Sequence, residues 1–90
     1  MKNNIRHFLR PLLNEKRTGQ NIRYLMEVNG FSVRLLQSVF GFSYPQAVYT
    51  WLDGKNIPSV DNLLILAKLF GVTIDEIVAY DEVVISFVNA

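Results

Sequence analysis

Residues 32 to 59 read SVRLLQSVFGFSYPQAVYTWLDGKNIPS, and the order of caps, breaks and apolar steps in this run decides the fold. Ser32 can cap a helix to about Phe40, with Leu36 and Phe40 four apart and facing inward, and Gly41 is its stop. Ser43, with Gln46 three positions on, has the form of a capping box that opens a third helix, and Pro45 suits a first turn where its missing N–H costs nothing. Val48 and Trp51, at i and i+3, are the core face of that helix, and Asp53-Gly54 is a turn. Two short helices joined through a glycine break make a helix-turn-helix, in which the core holds the second helix rigidly and leaves its outer face free.

Working outward, Thr18 can cap a first helix to about Asn29, with Ile22, Leu25 and Met26 on one face and Gly30 at its exit. Downstream, Ser59 caps a fourth helix carrying Leu63, Leu66, Ala67 and Phe70, with Asp61 near its positive end and Gly71 as its stop. Thr73 and Glu76 form a capping box for a short fifth helix with Ile74, Ile77 and Val78. The two ends read differently. Residues 83 to 88, VVISFV, are β-branched and aromatic without helical period, so a strand is expected there, and an isolated strand needs a partner. Ile5, Phe8, Leu9, Leu12 and Leu13 have helical spacing, but Pro11 would break such a helix, which leaves helix and extended structure both open. The expected class is therefore all-α, five helices with a C-terminal β-strand arm. Residues 1–17 form an N-terminal arm, 18–80 the helix-turn-helix domain and 81–90 a C-terminal arm suited to dimerisation.

Composition narrows what else the chain can do. Ninety residues suit one small domain burying roughly 60 to 65% of its unfolded surface, which leaves no room for a separate catalytic domain. Half the residues are hydrophobic, too many for a disordered chain, and Gly41 and Pro45 interrupt the longest uncharged stretch before it could span a bilayer. The absence of cysteine removes disulfides, thiolate metal sites and Cys nucleophiles together and fits a reducing cytosol. His7 is the only histidine, so no zinc site and no other cofactor is expected. FLRPLL is too short and too charged for a signal-peptide core, and a cytoplasmic protein is the expectation.

The net charge of +1 hides a split. Residues 1 to 34 hold seven Lys and Arg against Glu15 and Glu27, giving +5, whereas residues 35 to 90 hold Lys55 and Lys68 against six acids, giving −4. Such asymmetry suits a basic face that meets phosphate and an acidic end that points away.

The run GFSYPQAVYTWLDGKNIPSVDNLLILAKLFGVTIDEI resembles the Cro-type, XRE or lambda-repressor-like helix-turn-helix family, within it a bacterial branch carrying Pro-Gln-Ala-(Ile/Val)-Tyr-x-Trp. The likeness covers about residues 18 to 80 and rests on Trp51 with Gly54-Lys55, the Pro58-Ser59 cap, Asn62-Leu63, Leu66-Ala67 and the Phe70-Gly71-Val72 to Asp75-Glu76-Ile77 ending. It implies a five-helix domain that binds double-stranded operator DNA as a transcriptional regulator, with repressor the expected sense, commonly as a homodimer. Carried over by position, the recognition helix runs from Tyr44 to Leu52, with Tyr44, Gln46, Ala47, Tyr49 and Thr50 as base contacts. Gln can pair bidentately with adenine, Thr can contact several bases, and an Ala methyl can touch a thymine methyl. Ser32, Arg34, Ser43, Lys55 and Asn56 are the expected backbone contacts, near helix starts or in the loop after the recognition helix.

Several positions depart from the family pattern. Val33 stands where many relatives carry a phosphate-clamping Gln, and Gln37 stands where a small residue is usual, so its amide must find partners. The turn into the recognition helix is one residue longer than the common form. No Arg or Lys lies on that helix, so one copy should bind weakly, and two half-sites about 34 Å apart would add their energies. VVISFV is expected to pair with its symmetry mate or with residues 5 to 9, and Val33, Leu35 and Val39 form a second apolar surface. The rival function is a protein-interaction module, such as an antitoxin or adaptor, that keeps the fold with weak or no DNA binding. An enzyme is disfavoured: there is no Gly-rich phosphate loop, and the acid pairs Asp75-Glu76 and Asp81-Glu82 suit capping and solvation. No small-molecule ligand and no membrane partner is expected.

Overall fold

The computed structural model describes residues 4–89, in the order β1 (Ile5–Leu13), α1 (Glu15–Asn29), α2 (Val33–Phe40), α3 (Gln46–Leu52), α4 (Val60–Phe70), α5 (Ile74–Ile77) and β2 (Tyr80–Val88). The expectation of an all-α chain is corrected. The protein is mixed α/β, because β1 and β2 pair antiparallel from Ile5↔Val88 to Leu13↔Tyr80. Pro11 bars a helix over residues 5–13, and the strand at the far end of the chain supplies the partner that an isolated strand needs.

Local chemistry explains most helix ends. The side chains of Ser32 and Ser59 accept the N–H groups of Leu35 and Asn62, and Thr73 and Glu76 form the reciprocal box. Gly30, Gly41 and Gly71 close α1, α2 and α4 in the left-handed conformation. Two expected starts are wrong. α1 begins at Glu15, capped by Asn14, whose side-chain oxygen accepts from Arg17 N–H at 2.9 Å. Thr18 lies inside that helix, 1% exposed, and its hydroxyl accepts from Ala79 N–H at 2.9 Å. α3 begins at Gln46, not Tyr44, with Pro45 at its N-cap and no side-chain cap, so the Ser43–Gln46 box does not form. The residue before a proline is driven from the helical region, which holds Tyr44 outside the helix.

Ile22 and Met26 of α1, Leu36 of α2, Val48, Trp51 and Leu52 of α3, Leu63, Leu66, Ala67 and Phe70 of α4, and Ile77 of α5 close one core. Phe40 and Phe42 stack at 5.2 Å, and both meet Trp51 edge-on. Val33 packs against this core, so only Leu35 and Val39 of the expected second apolar surface are exposed.

The sheet is tied to the core only at its base. Asn14 N–H donates to the Ala79 carbonyl at 2.8 Å, Asn21 Nδ2 donates to the Ile77 carbonyl at 2.9 Å, and Arg17 pairs with Asp81 at 2.6 Å. That ion pair is exposed on both sides and contributes under about 1 kcal/mol. Thr18 matters more. Thr18→Val keeps the shape but orphans the Ala79 N–H, and should cost about 1–3 kcal/mol in urea unfolding followed by Trp51 fluorescence. Thr18→Ser should retain most of the stability. A valine variant within about 0.5 kcal/mol of the parent, the range of ordinary surface changes, would discount the bond.

Beyond that base the ribbon stands free, and the molecule measures 61 × 23 × 19 Å. No helix among the described residues is long and apolar enough to cross a membrane.

Candidate nucleic-acid interface

α3 has two distinct sides. Val48, Trp51 and Leu52 are buried, which fixes the helix in azimuth and depth, while Gln46 and Tyr49 are exposed and Ala47 and Thr50 half-exposed. Without the capping box, the Gln46 amide is not drawn back to the helix start, and its donor and acceptor are free to meet a base edge. Thr50 Oγ1 donates to the Gln46 carbonyl at 2.7 Å, so its hydroxyl presents acceptor lone pairs outward. That favours the amino donors of adenine and cytosine.

Tyr44, 73% exposed, reaches the same side from the turn before α3. Ser43, Tyr44, Gln46 and Ala47 surround an open cleft of about 570 Å³ floored by Phe42. Four expected contact residues thus come together at the entry to α3. Lys55 and Asn56 are exposed at its other end, after Gly54, and Ser32 and Arg34 come from the start of α2. The Ser32 hydroxyl accepts from Leu35 N–H at 3.0 Å but keeps its own proton for an outside acceptor.

Two contributors escaped the sequence reading of the interface. Gln37 Nε2 donates to the carbonyls of Phe42 and Ser43, each at 3.2 Å. The amide that needed partners therefore clamps the long turn between α2 and α3. Lys16 is the second. Its backbone lies so close to Gly54 that a Cβ there would sit 2.6 Å from Lys16 Cα. Gly54 also holds φ +70, so only glycine fits, and Lys16 and Lys55 flank the exit of α3. Pairwise packing of α1 on α3 produces this cluster, and no local pattern announces it.

The charge split is realised less simply than the sequence suggests. Arg6 and Arg10 lie exposed on β1, Arg17 is engaged by Asp81 from the acidic half, and Lys2 lies outside the described residues. The described residues hold no group of His, Cys, Asp and Glu suited to a metal ion. Glu76 serves its cap, and His7 Nδ1 lies 2.8 Å from Ser86 Oγ as a cross-strand contact on the ribbon.

Comparison of the chain with protein-family models, with curated proteins and with solved structures gives no match. The case for function therefore rests on the geometry of α3 and its surroundings, beside the resemblance in the residues themselves.

Proposed function

We propose that the protein is a sequence-specific DNA-binding transcriptional regulator, a repressor of the Cro-type helix-turn-helix kind, which lays α3 in the major groove of an operator as a homodimer. One observation carries the reading: α3 is locked by Val48, Trp51 and Leu52 on one side and exposes Gln46 and Tyr49 on the other. A groove about 12 Å wide admits one helix. In this reading Gln46, Tyr49, Thr50, Ala47 and Tyr44 read bases, and Ser32, Arg34, Ser43, Lys55 and Asn56, joined by Lys16, hold phosphates.

The mechanism is positional. The core presents α3 as a rigid wedge, Lys16 and Lys55 at its exit and Arg34 from the start of α2 fix register on the backbone, and the outward amide and hydroxyls discriminate bases. Occupying the operator would then exclude other proteins from the same site, which is repression by competition. A second reading, a protein-interaction module, draws on the absence of Lys and Arg from α3 and on the apolar floor of the cleft at Phe42.

Selection of bound duplexes from a random library at moderate salt tests the reading. The parent should enrich an inverted repeat, and Gln46→Ala or Tyr49→Ala should relax one base position per half-site, a loss of about 1–3 kcal/mol of discrimination there. A library left unenriched by the parent would favour the interaction module.

A further inference from the structure

The ribbon is unfinished in a way that specifies its own partner. Asn14 N–H donates to Ala79 carbonyl oxygen and Asn89 N–H to Asn4 carbonyl oxygen, so the 14↔79 and 4↔89 pairs are hydrogen-bonded. Because antiparallel pairs alternate, the hydrogen-bonded pairs between them are those of Arg6, Phe8, Arg10 and Leu12. The backbone groups of Ile5, His7, Leu9, Pro11 and Leu13 on β1, and of Tyr80, Glu82, Val84, Ser86 and Val88 on β2, therefore point out to the two open edges.

The edges are not equivalent. β1 presents Pro11, which has no N–H, in the middle of its outward row, and proline there blocks addition of a strand. β2 presents a row without proline and without Lys or Arg. Two strands alone are marginal in water, and Val84 and Val88 stand 62% and 61% exposed.

We propose that the open edge of β2 pairs antiparallel with β2 of a second copy of this chain, about a two-fold axis at Val84, giving a four-stranded sheet in the order β1-β2-β2-β1. The inference deepens the dimeric part of the function proposed above and does not require DNA. In this register Val84 meets Val84 of the mate, Glu82 meets Ser86, and Tyr80 meets Val88. Every outward N–H and C=O from Tyr80 to Val88 finds a partner, and no like charges stand opposite one another, because Asp81 and Glu82 face Phe87 and Ser86 of the mate.

The register also accounts for the base of the ribbon. Leu9, Pro11, Leu13, Tyr80 and Glu82 line one side of a cleft of about 300 Å³ against Asp75 and Val78. Residues paired across a two-fold share a sheet face, so Val88 of the mate arrives beside Tyr80 on the cleft side. A second copy thus brings an apolar side chain to the side of that cleft lined by Leu9, Pro11, Leu13 and Tyr80. It also separates the two helical cores to opposite ends of the sheet, leaving both α3 helices accessible.

Introduced cysteines test the register, since the chain has none of its own. In a hydrogen-bonded antiparallel pair the two Cα atoms lie about 5.5 Å apart, within disulfide reach. Val84→Cys should therefore convert to a covalent dimer under mild oxidation. Leu9→Cys should not, because three strand spacings of about 4.8 Å separate its two copies. The parent should sediment as a dimer at micromolar concentration, and Val84→Arg, which sets two cations on the axis at an exposed site, should weaken the dimer at least tenfold while leaving urea unfolding of the helical core unchanged. A parent that sediments as a monomer, an uncrosslinked Val84→Cys, or crosslinking of Leu9→Cys to the same extent would overturn the proposal. None of these results depends on duplex selection, so failure here and failure of base reading by α3 are separable.

Discussion

Replacing Trp51 with alanine is expected to remove about 3–5 kcal/mol of stability, a large share of the roughly 5–15 kcal/mol that a small domain holds. The indole is 4% exposed and sits edge-on to Phe40 at 5.3 Å and to Phe42 at 6.0 Å. Truncation removes its buried area, leaves a cavity between α2 and α3, and deletes two aromatic pairs worth about 0.5–1.5 kcal/mol each beyond their area. Circular dichroism during urea titration reads the loss without needing the Trp fluorescence. The variant should be substantially unfolded without denaturant or have a much lower midpoint, whereas Trp51→Phe should fall between it and the parent. An unfolding free energy within about 1 kcal/mol of the parent's, the size of an average point mutation, would mean that Trp51 is not the centre of the core. The same side chain that anchors the core also sets the depth of α3, so stability and the proposed DNA contact are coupled at this residue.

The second large effect has the opposite sign to helix propensity. Gly19 lies inside α1, where alanine would ordinarily add about 1 kcal/mol of stability. Here an added Cβ would stand 2.4 Å from the Trp51 carbonyl oxygen and 2.9 Å from that of Leu52, both backbone atoms. Nothing at the end of a flexible side chain can yield, so α1 and α3 must move apart. Overpacking of this kind costs about 1–3 kcal/mol and sometimes more, and Gly19→Ala should lower stability by about 2–4 kcal/mol. Thermal unfolding is the check, with a fall of at least about 8 °C expected for a domain of this size. A rise in the midpoint would show that the α1–α3 approach is looser than described. Gly19 thus reports on the packing that brings Lys16 beside the end of α3.

What could be read along the chain and what could not divide by distance in sequence. The caps at Ser32, Ser59 and Thr73 were legible because each joins a side chain to an N–H three residues on. The same rule misled at Ser43, since it takes no account of the constraint Pro45 places on Tyr44. It also missed Asn14, because the charged Glu15-Lys16-Arg17 that follows shows no apolar step, so periodicity alone starts the helix too late. Thr18 looked like a cap and is instead a buried bond to Ala79, 61 residues away. The pairing of residues 5–13 with 80–88 belongs to the same class. VVISFV could be recognised as a strand, and residues 5 to 9 named as one partner, but only the juxtaposition of the start of α1 and the end of α5 fixes the register.

At the candidate interface, exposure of Gln46, Tyr49, Lys55 and Asn56 follows from helical spacing and turn chemistry and was accessible in advance. The clamp of Gln37 across the turn and the approach of Lys16 to Gly54 were not, because both depend on how helices pack. An all-α class was expected for the same reason. Helix signals are local, while the pairing of a strand with the far end of the chain has none.

If the outer face of α3 meets duplex DNA with Lys16, Lys55 and Arg34 on phosphate, its affinity must depend on salt. Binding to a labelled, selected duplex should be measured across a salt series. Log affinity should fall linearly with log salt, with a slope near −0.9 for each phosphate neutralised, and Lys55→Ala should make the slope shallower by about one phosphate per copy. No binding to any duplex at low salt, or affinity indifferent to salt, would contradict that contact.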